Sequence, residues 1–189
     1  MFKYLQKVGK AFMLPIALLP AAGLLLGIGG AFSSQATIDA YPFLGNDILQ
    51  TIFKVMAGAG NIIFGNLAML LCIGIMVGLA NREKGVAALA GAVGFLVMNA
   101  TIETLLSIFN PDGDAIDTGV VGALVIGLIA VYLHNNYYNI QLPQVLGFFG
   151  GSRFVPIVTS FVAIIVVVFF FIVWPPFQHL LIAAGKYIS

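Results

Sequence analysis

The sequence predicts an all-α membrane protein, with about five transmembrane helices plus interfacial amphipathic segments. Hydrophobic residues make up 61% of the chain and charged residues only 8%, whereas a soluble domain carries about a quarter charged residues. The few charges are also clustered in short stretches between long charge-free windows, which is how a bilayer sorts residues. Membrane lipid is therefore a predicted partner. A net charge of +1 with no basic stripe argues against nucleic-acid binding.

Five charge-free windows are candidate membrane spans. A helix needs about 20 apolar residues to cross a hydrocarbon core of about 30 Å, because it satisfies its own backbone hydrogen bonds there. The windows run over residues 12–32, 58–80, 85–102, 118–133 and 154–174. The first window exceeds the apolar region of about 7–15 residues that a cleaved signal peptide has, so we interpret it as a span.

The charged connectors predict the orientation of these spans. Six of the eight basic residues fall at one end: Lys3, Lys7, Lys10, Arg82, Lys84 and Arg153. Because basic residues favour the cytoplasmic ends of spans, the N-terminus is predicted to be cytoplasmic and the C-terminus to lie on the other side. Acids are concentrated in the opposite connectors, where the turn sequence at 110–113 predicts a solvated outer loop.

The first window contains residues that predict a bent, closely packed helix. Pro20 lies in its interior and is expected to kink it, because proline cannot donate a backbone hydrogen bond. Gly23, Gly27 and Gly30 follow at helical spacing. Small residues in such positions let a second helix approach, so we predict a helix-packing role. Lining a solute path is the alternative.

Residues 134–152 have no formal charge but many amide and tyrosine side chains, with Pro143 among them. The segment is too polar to span and is predicted to be interfacial or re-entrant on the cytoplasmic side. Arg153 follows it. Its side chain either anchors the topology by reaching to the membrane surface or contacts a cytoplasmic partner or an anionic group.

The last window ends at Trp174, Pro175 and Pro176, where the helix is expected to stop. The apolar spacing beyond predicts a short amphipathic helix lying on the membrane over 177–188. The chain contains no GxxxxGK[ST] phosphate loop, no serine–histidine–aspartate set and no paired intramembrane carboxylate, and its single cysteine is Cys72. Composition and motifs therefore predict a membrane domain with no catalytic centre, metal site or cofactor.

Four sequence blocks resemble a known family: LPIALLPAAG at 14–23, KGVAALAG at 84–91, LP leading through GFFGGSRFVPI at 142–157, and WPP at 174–176. They are similar to enzyme IIC, the membrane permease component of the bacterial sugar phosphotransferase system, in its glucose, maltose and N-acetylglucosamine superfamily. The resemblance runs nearly end to end. Residues 44–47 and 81–85 are most similar to the maltose and glucose branch, although many relatives have lysine where this chain has Ser152.

The resemblance implies a multi-pass protein of the bacterial inner membrane that takes part in sugar uptake and coupled phosphorylation by a phosphocysteine on enzyme IIB. It also implies a homodimer with a fixed N-terminal scaffold and a mobile sugar-binding half. The chain lacks the histidine pair and the Thr-Glu-Pro block that surround the sugar in relatives, and it has no IIB or IIA domain. Residues 1–189 are therefore expected to be the scaffold and dimerisation part, with sugar bound only in the complete protein.

Two other functions stay open. One is a non-transporting membrane interaction protein derived from a truncated permease, which would pair with an intact enzyme IIC or act as a receptor. The other is a small channel. The absence of a span with a polar face wide enough to line a water-filled path argues against it. The family acts as part of a sugar phosphotransferase, but this segment shows no catalytic centre of its own, which leaves its status as an enzyme undecided.

Overall fold

The computed structural model describes residues 2–109, 111 and 115–188, with backbone alone at residues 2–5, 14 and 177–188. The described part is helical and contains no strand. Its α-helices are α1 Phe2–Ile16, α2 Leu19–Ser33, α3 Gln35–Ala40, α4 Asp47–Gly65, α5 Leu67–Leu79, α6 Lys84–Phe109, α7 Gly119–Tyr137 and α8 Phe154–Ile188. Short 3₁₀ segments lie at Pro42–Gly45, Gln144–Phe149 and Gly151–Arg153.

Within the described residues, four stretches are long and apolar enough to cross a membrane: Asp47–Gly65, Lys84–Phe109, Gly119–Tyr137 and Gly151–Pro176. Two shorter apolar helices, Leu19–Ser33 and Leu67–Leu79, accompany them. The predicted class, an all-α multi-pass membrane protein, is confirmed. The turn predicted at 110–113 lies outside the described residues except for Pro111.

The first predicted span is two helices, so the prediction of one kinked helix over 12–32 was wrong. α1 ends at Ile16 and α2 begins at Leu19, which places Pro20 in the first turn of a new helix. A proline there loses no hydrogen bond, because the first amides of a helix have no partner within it. Interrupting the helix at residues 17–18 therefore costs less free energy than bending one helix around an internal proline.

The second predicted span, 58–80, is also divided in the structure. α4 ends at Gly65 and α5 begins at Leu67. Between them, Asn66 donates from its side-chain Nδ2 to the carbonyl of Ile62 at 2.8 Å, and its backbone N–H bonds the same oxygen. Asparagine competes for helix carbonyls in this way, which interrupts a ladder that hydropathy alone treats as continuous.

α4 also begins earlier than predicted, at Asp47, because Asn46 caps it. The Asn46 Oδ1 accepts the N–H of Ile48 at 3.0 Å. α2 and α4 then pack side by side as a hairpin, and only 11% of the α4 window is buried within the chain. The connection between them is closed by Gln50, whose Nε2 donates to the carbonyls of Phe32 at 3.0 Å and Leu44 at 2.8 Å.

The remaining long helices form a bundle in which α5 contacts α1, α6 and α7, while α6 contacts α8. Its core is apolar and tightly fitted. A Cβ on Gly91 would overlap the side chain of Met76, and one on Gly94 would overlap Thr159. Glycines that admit a neighbouring side chain in this way let membrane helices gain packing energy where water provides no hydrophobic driving force.

The predicted helix stop at Trp174 was wrong, because α8 continues through Pro175 and Pro176 to Ile188. Trp174, which precedes the prolines, is held both within α8 and by the segment before α7. The Trp174 ring lies 5.5 Å from that of Phe170, and its Nε1 donates to the carbonyl of Asp117 at 3.1 Å. Tertiary contacts of this kind let membrane helices retain prolines that break soluble helices. The segment predicted as a separate amphipathic helix is thus part of α8, and its side chains lie outside the described residues.

Candidate functional site

One end of the bundle, where the basic residues of the connectors are found, is organised by two neighbouring residues of α7. His134 is completely buried, and its Nε2 lies 2.7 Å from the carbonyl oxygen of Arg82. A carbonyl only accepts hydrogen bonds, so this nitrogen carries the proton. Its Nδ1 has no hydrogen-bond partner among the described residues. His134 was predicted to be interfacial, but α7 extends to Tyr137 and takes it into the protein.

Asn135 completes this contact with the loop between α5 and α6. Its Oδ1 accepts the N–H of Asn81 at 2.9 Å, and its Nδ2 donates to the carbonyl of Leu79 at 3.1 Å. The Leu79 carbonyl belongs to the last turn of α5, where helix carbonyls lack partners of their own. The C-terminal end of α7 therefore fixes both the end of α5 and the start of α6.

The connector from α7 to α8 folds into two 3₁₀ turns beside a cavity. The N–H of Gly151 donates to the carbonyl of Ile140 at 2.8 Å, which draws the two ends of the connector together. Gly151 has a φ of +65°, a conformation that glycine adopts without a steric cost. The resulting cavity of about 430 Å³ is lined by Asn139, Ile140, Gln141, Leu142, Gly147, Gly150 and Gly151.

Apolar side chains project from this connector. Val145 is 93% exposed and Phe148 is 72% exposed, with Leu146 and Phe149 also exposed beside them. Such an exposed apolar patch is typical of a surface that meets a partner or the membrane interface. The interfacial location of this segment stays a prediction.

Arg153 is folded against the same patch. Its Cζ lies 5.1 Å from the ring centroid of Phe148, and its Nη1 is 3.4 Å from the Phe148 carbonyl. A guanidinium has five donors, and these contacts occupy few of them. No acidic side chain in the described part of the chain forms a salt bridge with it. Arg153 is thus held in place while keeping donors free for an anionic group.

Gly23, Gly27 and Gly30 do not meet another element of the described chain. A Cβ on any of them would have no neighbour within 4 Å. The glycines that do allow close packing in this hairpin are Gly29 and Gly60. A Cβ on Gly29 would overlap the backbone of Ala57 and one on Gly60 that of Ala22 and Leu26. The three predicted packing glycines therefore form a separate stripe, and their role stays a prediction.

Sequence reasoning missed both Gly29 and the pair His134 and Asn135. Gly29 lies immediately beside Gly30, and only the position of α4 distinguishes the two.

At the opposite end of the bundle, a groove of about 280 Å³ includes Asn99, Glu103 and Asp117 in its lining. Asp117 uses its Oδ1 to cap the N–H of Gly119 at 2.8 Å. The described residues contain no group of three possible metal ligands.

Comparison with known protein families finds a match over most of the chain. The family described as "Phosphotransferase system, EIIC" matches residues 9–189, which is nearly the whole chain.

Proposed function

Because the chain belongs to the enzyme IIC family of the phosphotransferase system, we propose that it is the scaffold half of a glucose- or maltose-type sugar permease. Membership makes it a membrane component of sugar transport coupled to phosphorylation, with an enzyme IIB partner. The proposal adds the scaffold role, the sugar class and a homodimer.

The observation that carries the scaffold role is the composition of the interior. Only Gln50, Thr118, His134 and Thr159 are buried polar residues in the described part. Gln50 and His134 bond backbone carbonyls of neighbouring connections, and Thr159 packs on Gly94. A sugar site needs several converging polar groups, and this interior is built instead for packing. Sugar contacts would then come from the second half of a complete permease.

Titration of the purified 189-residue chain with glucose and with maltose tests the scaffold role. We expect no saturable binding of either sugar by calorimetry or by equilibrium dialysis. The matched measurement uses a complete permease of the same family under the same conditions, which should bind its sugar. Saturable binding by the 189-residue chain would contradict the proposal.

A homodimer contact is proposed for the stripe formed by Gly23, Gly27 and Gly30. At about 100° per residue, the glycines of this stripe lie roughly 100–160° around the helix from Gly29, which faces α4. The stripe is therefore free to receive a helix from a second copy at close range. Introduced in a Cys72→Ala background, Gly23→Cys, Gly27→Cys and Gly30→Cys should form disulfide-linked dimers in lipid.

Ala21→Cys and Ile28→Cys are the matched controls for this experiment. Both positions are exposed on α2 at similar depth, but each lies at least about 100° around the helix from all three glycines. They should cross-link poorly. Equal cross-linking from both faces would indicate random collision and contradict an interface at the glycine stripe.

Contact with enzyme IIB is proposed for Arg153 and the exposed apolar patch beside it. The restrained guanidinium supplies donors for an anionic group, while Val145 and Phe148 supply apolar area. Arg153→Gln and Val145→Asp should each weaken binding of a purified IIB partner in surface plasmon resonance. Lys54→Gln, which removes a charge from exposed α4, is the control and should have no effect. Unchanged binding in both patch variants would remove this segment from the interface.

A further inference from the structure

A small cleft opens where α1, α5 and the start of α6 meet. Its volume is about 180 Å³, and it is lined by Lys10, Ala11, Gly74, Val77, Gly78 and Lys84. Two lysines therefore border one space whose other walls are apolar or formed by glycine. The cleft is separate from the connector that carries Arg153.

The glycines of α5 determine the shape of this cleft. A Cβ on Gly78 would overlap Ala11, and one on Gly74 would overlap the ring of Pro15. α1 is therefore seated directly on the backbone of α5, with Ala11 only 4% exposed. This close contact brings Lys10, which is exposed next to Ala11, to the rim of the space above α5.

Lys84, which also lines the cleft, is positioned by the contacts of α7. His134 and Asn135 bond the backbone of Arg82 and Asn81, immediately before α6. The N–H of Ala87 then bonds the carbonyl of Glu83 at 3.0 Å, which makes Lys84 the first residue of the helix. Its ammonium thus adds to the positive end of the α6 dipole, and the first turn contains no acidic residue.

The charge of the cleft is not compensated within the described part of the chain. Neither Lys10 nor Lys84 forms a salt bridge there. Glu83, the acid nearest in sequence, is exposed and is not part of the lining. Two lysines that line one small space, one of them the first residue of a helix, match the chemistry of a phosphate group.

We propose that this cleft binds the phosphate of an anionic phospholipid. A lipid is favoured over free phosphate because Ala11 and Val77 line the same space and α5 continues from it as an apolar helix. Acyl chains can follow that apolar surface while the lysine stems extend to the headgroup. Basic spaces between membrane helices on the cytoplasmic side bind anionic headgroups in this manner. The inference is independent of the sugar and of the proposed scaffold role.

The test is lipid binding to the purified 189-residue chain by native mass spectrometry, with phosphatidylglycerol and phosphatidylcholine as probes. The chain should bind phosphatidylglycerol more tightly. Lys10→Gln with Lys84→Gln should weaken that binding by roughly tenfold, because each lysine near a headgroup contributes severalfold to affinity. Lys10→Arg with Lys84→Arg, which keeps both charges, should retain it. Circular dichroism verifies that every variant is folded.

The control pair is Lys7→Gln with Arg82→Gln, which removes the same charge from neighbouring positions that do not line the cleft. Its binding of phosphatidylglycerol should be close to that of the parent chain. Equal weakening in both pairs would mean general surface attraction and would overturn the site. Inorganic phosphate at millimolar concentration should not displace the lipid, and displacement would show a site for free phosphate instead.

Discussion

The Nε2 of His134, at the end of α7, lies 2.7 Å from the backbone carbonyl of Arg82, between α5 and α6. The two residues are 52 positions apart in sequence. Because the imidazole is completely buried, this hydrogen bond and the packing of the ring act together to hold three helix ends in one arrangement. The position of Lys84, and with it the cleft next to α1, depends on this contact.

Replacing His134 by alanine should lower the free energy of unfolding by about 2–4 kcal/mol. The variant loses a buried hydrogen bond and leaves a cavity where the ring was. Asn136→Ala is the matched control, since the Asn136 side chain is exposed and bonds only the Tyr132 carbonyl of its own helix. Unfolding by SDS in mixed micelles, followed by circular dichroism, measures both. A similar loss in the two variants would contradict the role of the interhelical bond.

Gly29→Val should destabilise the α2–α4 hairpin by about 1–3 kcal/mol. The added side chain would overlap the backbone of Ala57, so the helices must separate. Gly27→Val should change the stability of the monomer little, because a Cβ there meets nothing within 4 Å. The comparison requires SDS unfolding at a dilution where the chain is monomeric. Equal destabilisation by the two substitutions would show that α2 packs on a different face.

Gln50→Ala should cost about 1–3 kcal/mol, because it leaves the carbonyls of Phe32 and Leu44 without the donor that joins them. The effect should be local. Hydrogen exchange followed by mass spectrometry should show that the substitution accelerates exchange in residues 33–50 and leaves exchange in α6 nearly unchanged. Gln35→Ala, which removes an exposed bond to Asp39, should leave exchange nearly unchanged. Uniform acceleration across the chain would contradict a local closure.

Glu83→Gly should stabilise the chain by about 1 kcal/mol. Glu83 has a φ of +48°, where a Cβ is crowded by the backbone, and glycine removes that cost. Arg82→Gly, at a neighbouring exposed position where no positive φ is found, should instead be destabilising. Thermal unfolding in detergent compares the two variants. A lower melting temperature for Glu83→Gly would show that the glutamate side chain stabilises the loop by more than the strain costs.

Local patterns predicted some elements accurately. The charge-free window at 85–102 lies within α6, and that at 118–133 falls in α7 except for its first residue, which is the N-cap. Both agree because composition determines which stretches can be buried in lipid. Helix ends were less predictable. A hydropathy profile does not detect that Asn66 ends α4 by donating to the Ile62 carbonyl of that helix. It also places Pro20 inside one long span, whereas Pro20 lies in the first turn of α2.

Site residues divide in the same way. Arg153 was predicted as a contact residue from its position after a polar segment, which stays a prediction, and the structure adds its contact with Phe148. The pair His134 and Asn135 could not be distinguished from the other polar residues around it, because their partners are more than 50 positions away. No local pattern contains that information.

Sequence by itself determined that this chain is a helical membrane protein of the enzyme IIC family, since apolar length, charge sorting and motif order are properties of the linear chain. Tertiary structure alone decided which glycines pack. Gly29 and Gly30 are adjacent and chemically identical. Only Gly29 faces the backbone of α4, so only Gly29 has no room for a side chain in the hairpin. It also decided that Lys10 and Lys84 share one cleft, because their proximity depends on α1 lying directly against the glycines of α5.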